Sequence, residues 1–300
     1  MSLQAQLEDI VKDANGTFGV YVKHLETGET ASIYENRLFQ AASTFKVPIL
    51  SALYREAKKG TVNLDERVKL TEKDFVPGSG IFQRLTPGVE VTIKDLAMMM
   101  IIVSDNAGTD KILEIIGKET VDQFMKELGL TNIHTPLTCW ELLCLCVDLE
   151  PRPYSPEFLA DLNHRLENGK FNTDSIVFQE SIHNNVSSPK DMAKLLELIV
   201  TKQLISEKAC DEMFDILSKQ QHRNRIPYLL PGNTVVAHKT GTVGSVINDV
   251  GIVKLPYQMG TYVITVFSTG NSSEAEGANI INKLSKAAYD YFLSKIAVGK

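Results

Sequence analysis

Three short stretches hold the residues whose types and spacing could do chemistry. In "STFKVP", Ser43 precedes Lys46 by three positions, a spacing that on a helix puts both on one face. A serine hydroxyl is a weak nucleophile until a base removes its proton. A lysine amine can be that base when burial lowers its pKa, because desolvation disfavours the ammonium form. A helix start adds a positive field and free N–H groups where an oxyanion can develop. Serine is also a favoured cap and lysine a common helix residue, so the pair alone fits a capped helix equally well.

The second stretch is Ser104-Asp105-Asn106, between the apolar run "LAMMMIIV" and a further helix. These residue types favour turns and caps, which makes a connector the plain reading. As chemistry, Ser104 can pass a proton towards a leaving group and Asn106 can hold a substrate amide. The run before it is too apolar for a surface helix, which puts the turn at the inner end of a cleft. The third stretch is "HKTG", His238 to Gly241, at the end of a predicted strand. It reads as a strand-end turn with one exposed lysine, or as Lys239 and the Thr240 hydroxyl gripping a carboxylate. Gly241 would then let a ligand approach the backbone, and the Lys239 charge would help depress the Lys46 pKa.

The remaining elements must hold these stretches in place. Residues 3 to 14 read as an amphipathic helix, and "TFGVYVKHLETGETASIYE" alternates about "ETGE" as a β-hairpin does. The helix after Ser43 carries Val47, Leu50, Leu53 and Tyr54 and stops at Lys58-Lys59-Gly60, basic residues followed by glycine. Between about 93 and 200 the pattern is mostly helical, in "IKDLAMMMIIV", "GTDKILEIIG", "TVDQFMKELG" and "SPKDMAKLLELIV". From 234 strands return in "TVVAHKTG", "NDVGIVKL" and "TYVITVFSTG", and "EGANIINKLSKAAYDYFLSK" closes the chain as a helix. The fold class expected is α+β, with one antiparallel sheet built from both ends of the chain and flanked by the terminal helices. Residues 1–40 and 233–300 would form that lobe and residues 41–232 an all-helical lobe, with the active site in the cleft between them.

Bulk properties exclude other classes. The 300 residues are 43% apolar and 23% charged, enough for a substantial core. A net charge of -6 without a basic run argues against nucleic acid and anionic membrane surfaces as partners. No apolar stretch has the length of a membrane span, and the polar start "MSLQAQLEDIVKDANG" lacks the apolar centre of a signal peptide. The chain is thus expected in the cytoplasm, or exported with its signal absent from this sequence. Cys139, Cys144, Cys146 and Cys210 lack C-x-x-C knuckles and read as buried small hydrophobes. The six histidines show no metal-ligand spacing, and neither a metal nor a cofactor is implied.

Taken in order, S-x-x-K, SDN and KTG resemble the active-site set of class A β-lactamases and penicillin-binding proteins. The flanks agree: "VSSPKDMAKLLELI" resembles the family's segment after the Ω-loop, and "RIPYLLPGNTVVAHKTG" its approach to the KTG strand. "NDVGIV" and "YVITVFSTG" look like the two strands that follow. The resemblance implies the class A fold, an α/β lobe beside an all-helical lobe, and a serine hydrolase with β-lactams or related acyl compounds as small-molecule substrates. It makes Ser43 the acylated nucleophile, Lys46 the adjacent base, Ser104 a proton relay and Asn106 a contact to the substrate side-chain amide. Lys239 and Thr240 would bind the carboxylate, and the N–H groups of Ser43 and Thr242 would form the oxyanion hole. Arg225 matches a position from which some members supply a carboxylate-binding arginine; a solvated surface charge is its other reading.

One signature of the family is missing. Class A enzymes carry E-x-x-L-N on the Ω-loop, whose glutamate activates the deacylating water. The nearest match here is "EFLADLN", with Leu159 where the glutamate belongs. Glu141, Glu150, Glu157, Glu167 and Glu180 are the candidates for a displaced base, and the stretch from Cys139 to Asn185 is longer than the usual Ω-loop region. Acylation therefore has its parts, while deacylation lacks an assigned base. A D-Ala-D-Ala-type peptidase or esterase, and a module that traps or senses β-lactams by staying acylated, are the alternatives.

Overall fold

The computed structural model describes residues 1–169 and 171–298, with side chains through Lys295. Helix α1 (Leu3–Lys12) leads into strands β1 (Thr17–His24), β2 (Thr30–Ile33) and β3 (Phe39–Gln40). A 3-10 turn over Ala42–Phe45 runs directly into α2 (Lys46–Lys59). Strands β4 (Arg67–Lys69) and β5 (Glu90–Thr92) precede α3 (Ile93–Ile102), α4 (Asn106–Ile116) and α5 (Lys118–Glu127). Then come α6 (Cys139–Cys146), α7 (Pro156–Glu167), β6 (Val186–Ser187), α8 (Pro189–Val200) and α9 (Glu207–Ser218). Strands β7 (Val235–Val243), β8 (Val246–Lys254) and β9 (Thr261–Thr269) and helix α10 (Glu274–Val298) complete the chain.

One compact unit comprises Met1–Thr44 and Ser187–Lys300. Its five-stranded antiparallel sheet runs β2-β1-β9-β8-β7, so both ends of the sequence meet where β1 pairs with β9. The hairpin read around "ETGE" is present, with Val20 opposite Ile33 and Lys23 opposite Thr30. β8 and β9 are buried along nearly their whole length, which requires cover on both faces. On one face Tyr262, Ile264 and Val266 join Leu3 and Leu7 of α1 and Ile281, Leu284 and Phe292 of α10 in a single core. Side chains alternate along a strand, so Thr265 points the other way, and its hydroxyl donates to the Pro189 carbonyl in the first turn of α8 at 2.8 Å.

Helices α8 and α9 therefore belong with the sheet: α8 lies against β1, β8 and β9, and α9 against β7. This moves the boundary from the residue 233 read in the sequence to Ser187. An amphipathic helix has the same periodicity whether its apolar stripe meets a sheet or another helix, so pattern alone grouped α8 and α9 with the central helices.

The second unit, Phe45–Val186, holds α2 to α7 and the small antiparallel pair β4–β5. Residues Lys46 to Tyr54 of α2 are all buried, and α3, α4 and α5 lie against it. A helix buried on every side has to satisfy any polar group it carries, and α2 carries Lys46. Its end follows the sequence signal, with Gly60 at φ 81° after Lys58 and Lys59. Helices α3 and α6 start at reciprocal capping boxes, Thr92 with Asp95 and Thr138 with Glu141. Among the described residues no helix is long and apolar enough to cross a membrane.

Candidate active site

Ser43 lies in the 3-10 turn that continues into α2, half-buried and one turn ahead of Lys46 along the chain. Ala42 before it has φ 44°, a left-handed conformation that costs a residue with a Cβ about 1–2 kcal/mol. The neighbours that hold it there are polar. Gln40 Oε1 accepts the Ala42 N–H, and Asn248 Nδ2 donates to the carbonyls of Gln40 (2.8 Å) and Ala41 (3.0 Å). The Thr44 hydroxyl donates to the Ala41 carbonyl at 2.6 Å. Strand β7 passes close by: a Cβ on Gly241 would sit 2.9 Å from Ala41 O and 3.0 Å from Ser43 N. Only glycine lets the KTG strand run this near the serine N–H.

Lys46 is 0% exposed. Its Nζ donates to Ser104 O and Asn106 Oδ1, each at 2.7 Å, and to Ser104 Oγ at 3.2 Å. Burial pulls its pKa below the ordinary lysine value, against the opposing charges of Cys139, Asp105 and Asp110. That direction is the one a general base needs.

The SDN turn is built to hold those acceptors. Ser104 is left-handed, at φ 58°. Asp105 caps α4 by accepting the Gly108 N–H at 2.9 Å, and its other oxygen accepts the N–H groups of Ile81 and Phe82. The Asn106 N–H donates to Ser79 O at 3.0 Å and its Nδ2 to Pro77 O at 2.8 Å. The Asn106 side chain thus joins Lys46 to the 77–79 turn. The connector reading of SDN holds, and the same turn carries the acceptors for Lys46.

On β7, Lys239 is fully buried and its Nζ donates to the Thr240 carbonyl at 2.7 Å. Arg225 is buried as well, unlike a solvated surface charge. Its guanidinium donates to the carbonyls of Gly241 (2.8 Å) and Asn248 (2.6 Å), to the Thr242 hydroxyl, and to Glu274 at 3.1 Å. It therefore pins the KTGT strand to β8 at the residue that follows the KTG motif. Replacing it by alanine deletes charge-assisted hydrogen bonds to two carbonyls that face each other across the β7–β8 ladder, bonds of a class worth about 1.5–3 kcal/mol each. We expect Arg225→Ala to lose about 3 kcal/mol of stability, read as a lower urea midpoint than wild type. Beside it, His238 Nδ1 and Asp249 Oδ1 are 3.0 Å apart, both fully buried, and Asp249 also accepts the Ile226 N–H at 3.0 Å.

The segment from 139 to 185 is tied at its base. Asn185 accepts the Leu137 N–H and donates to the Leu137 carbonyl, both at 2.9 Å, and His134 bridges Val186. Glu141 is engaged in the α6 capping box and in an ion pair with Lys118 at 3.0 Å. Glu150, Glu157, Glu167 and Glu180 are exposed, and Leu159 is half-buried on α7. None of the five glutamates is among the charges acting on Lys46. The carboxylate that does act on it from beyond the motif is Asp110, four positions after Asn106. Helical spacing puts Asp110 and Asn106 on one face, a signal present in the sequence that the motif reading passed over. All four cysteines are free and buried, and burial pushes the Cys144 and Cys146 thiols up to about 12.

The architecture is that of the class A β-lactamases: the ancestral class A β-lactamase GNCA matches with TM-score 0.78 at 21% identity, over 97% of this chain and 100% of that one. A model described as the Beta-lactamase enzyme family matches residues 2–292, and the chain belongs to that family. Among curated relatives, β-lactamase VEB-1 of Pseudomonas aeruginosa is 26% identical over 98% of this chain and 91% of that protein. A mutant of PBP-A, solved as an acyl-enzyme complex with penicillin G, matches with TM-score 0.77 and 26% identity, covering 97% of this chain and 96% of that one. The protein is thus a β-lactamase-like serine hydrolase.

Proposed function

We propose that the protein opens β-lactams through an ester on Ser43. Lys46 takes the hydroxyl proton as Ser43 Oγ bonds to the lactam carbonyl carbon, and the N–H groups of Ser43 and Thr242 hold the oxyanion. The C–N bond then breaks and Ser104 returns a proton to the leaving nitrogen. Lys239 and Thr240 grip the substrate carboxylate, and Asn106 contacts the side-chain amide. Arg225 serves this grip by holding Thr242 and the Gly241 carbonyl. Water finally cleaves the ester and frees Ser43.

The observation that carries this reading is the Lys46 amine, fully buried, lowered in pKa and held by Ser104 and Asn106. A structural lysine has no reason to be desolvated one turn after a serine at a strained turn. A slower last step, as in an acyl-trap or a D-Ala-D-Ala-type peptidase, is favoured by one observation: the E-x-x-L-N glutamate is missing, while Glu141 is engaged in a capping box and an ion pair and Glu150, Glu157, Glu167 and Glu180 are exposed.

Intact-mass spectrometry after mixing with benzylpenicillin separates these outcomes. A gain of one whole penicillin, mapped to the Ser43 peptide and decaying to unmodified protein, is the expected result. An adduct that persists for hours makes the protein a trap. Absence of any adduct, together with cleavage of an acyl-D-Ala-D-Ala peptide, would move the substrate class to peptides.

A further inference from the structure

We propose that Asp110 is a positioning residue for the Lys46 base: its carboxylate, fastened to the first turn of α6, sets whether the buried amine holds a proton. This rests on the reading of Lys46 as the acylation base. The geometry is a cluster inside one unit, with Lys46 and Cys139 buried and Asp110 half-buried. Asp110 lies one turn beyond Asn106 on α4, and Asn106 Oδ1 is itself 2.7 Å from Lys46 Nζ. The two Asp110 oxygens accept the N–H groups of Cys139 at 2.7 Å and Trp140 at 2.8 Å, which fixes the carboxylate at the N-terminus of α6. The buried Cys139 thiol donates to the same carboxylate.

The charges that meet at this cluster can be named. Lys46 feels Asp105 and Asp110 from α4 and Cys139 from α6. Asp105 is saturated by three backbone N–H groups, and burial pushes the Cys139 thiol well up, so it stays neutral. Asp110 is the one poised to change. Burial lifts its carboxyl to about 6, against the pull of the Trp140 and Cys139 N–H groups. It also lines a cavity of about 210 Å³ whose other charged groups are Lys73, Asp74, Lys111, Glu114 and Arg152. Lys111 is held there by Asp74 at 2.9 Å and Glu114 at 3.0 Å.

The sign follows from Coulomb's law. An ionised Asp110 favours the ammonium form of Lys46 and so withholds the base; a neutral Asp110 releases it. The 139–185 segment then reaches the chemistry through the first turn of α6, by way of Asp110.

The test is Asp110→Asn in the full-length protein, with two readouts. In the unacylated protein, selectively labelled lysine followed by NMR should show Lys46 titrating at lower pH in the variant than in wild type. In stopped-flow acylation, the variant's rate at pH 6.5, as a fraction of its own plateau, should rise roughly three- to tenfold over wild type, the order of effect of removing one opposing charge near a buried amine. Equal Lys46 titration in the two proteins overturns the proposal. Asparagine cannot accept both N–H groups, so if the variant fails to fold, wild type supplies the test. The Asp110 carboxyl carbon must titrate near pH 6 and a Lys46 resonance must inflect at the same pH; no inflection overturns it. The NMR measurements need no substrate, so they stand or fall separately from the β-lactam reading.

Discussion

Ser43→Ala should lower turnover of a chromogenic cephalosporin by about 10³–10⁶-fold, the range found when a serine hydrolase loses the atom that attacks. Only one oxygen is removed from a half-buried side chain, so the fold and its melting behaviour should be almost unchanged. The strained turn persists because Gln40, Thr44 and Asn248 hold it from the backbone and from their own side chains, not through the serine hydroxyl. The proposed oxyanion donors are main-chain groups and should also survive, so binding of an intact β-lactam should persist while the covalent adduct disappears. Intact mass measured in parallel with initial rates separates the two effects. Wild-type activity in the folded variant would remove Ser43 from the chemistry and with it the acyl-serine mechanism.

Lys46→Met should slow acylation by about 10²–10⁴-fold, the usual contribution of a general base. Methionine fills a similar volume without a charge, so the interior of α2 gains an apolar group in place of a desolvated cation. The Ser104 carbonyl and Asn106 Oδ1 lose their shared donor, at about 1–3 kcal/mol each, and relief of the buried charge offsets part of that. The pH profile makes the result specific. With Lys46 as the proposed base, the neutral amine is the active form in wild type, so acylation should climb as pH rises through the Lys46 pKa. Burial lowers that pKa, and the climb must lie below the range of an ordinary lysine. Stopped-flow rates across pH should show this limb in wild type and none in the variant. A limb that survives in Lys46→Met would assign the base to another group.

Both experiments address residues that could be read from the sequence. Their legibility has a physical basis: S-x-x-K, SDN and KTG are each a few consecutive residues in a helix start, a turn or a strand, so the residue types and their spacing are written locally even though distant partners hold the side chains. The same is true of the "ETGE" hairpin and the Gly60 stop of α2, whose signals span a few residues. Motifs of that kind survive without knowledge of the tertiary fold.

What depended on distant packing was not legible. The boundary at Ser187 follows from which surface α8 meets, and a helical stripe carries no record of its partner. Arg225 could be read as a surface charge or a substrate ligand; it became a buried clamp because Gly241, Asn248, Thr242 and Glu274 converge on it from three elements. The five glutamates could not be ranked, since an exposed carboxylate and a catalytic one are spelled alike until burial tells them apart. Asp110 shares a helix face with Asn106, yet its character arises from the first turn of α6, whose Cys139 and Trp140 N–H groups fasten its half-buried carboxylate. By itself the sequence determined the nucleophile-and-lysine spacing, the order of the motifs and the α+β class, all local or cumulative along the chain. The tertiary structure alone decided which charges are desolvated and which polar groups face one another, because electrostatic strength depends on the surroundings that folding creates.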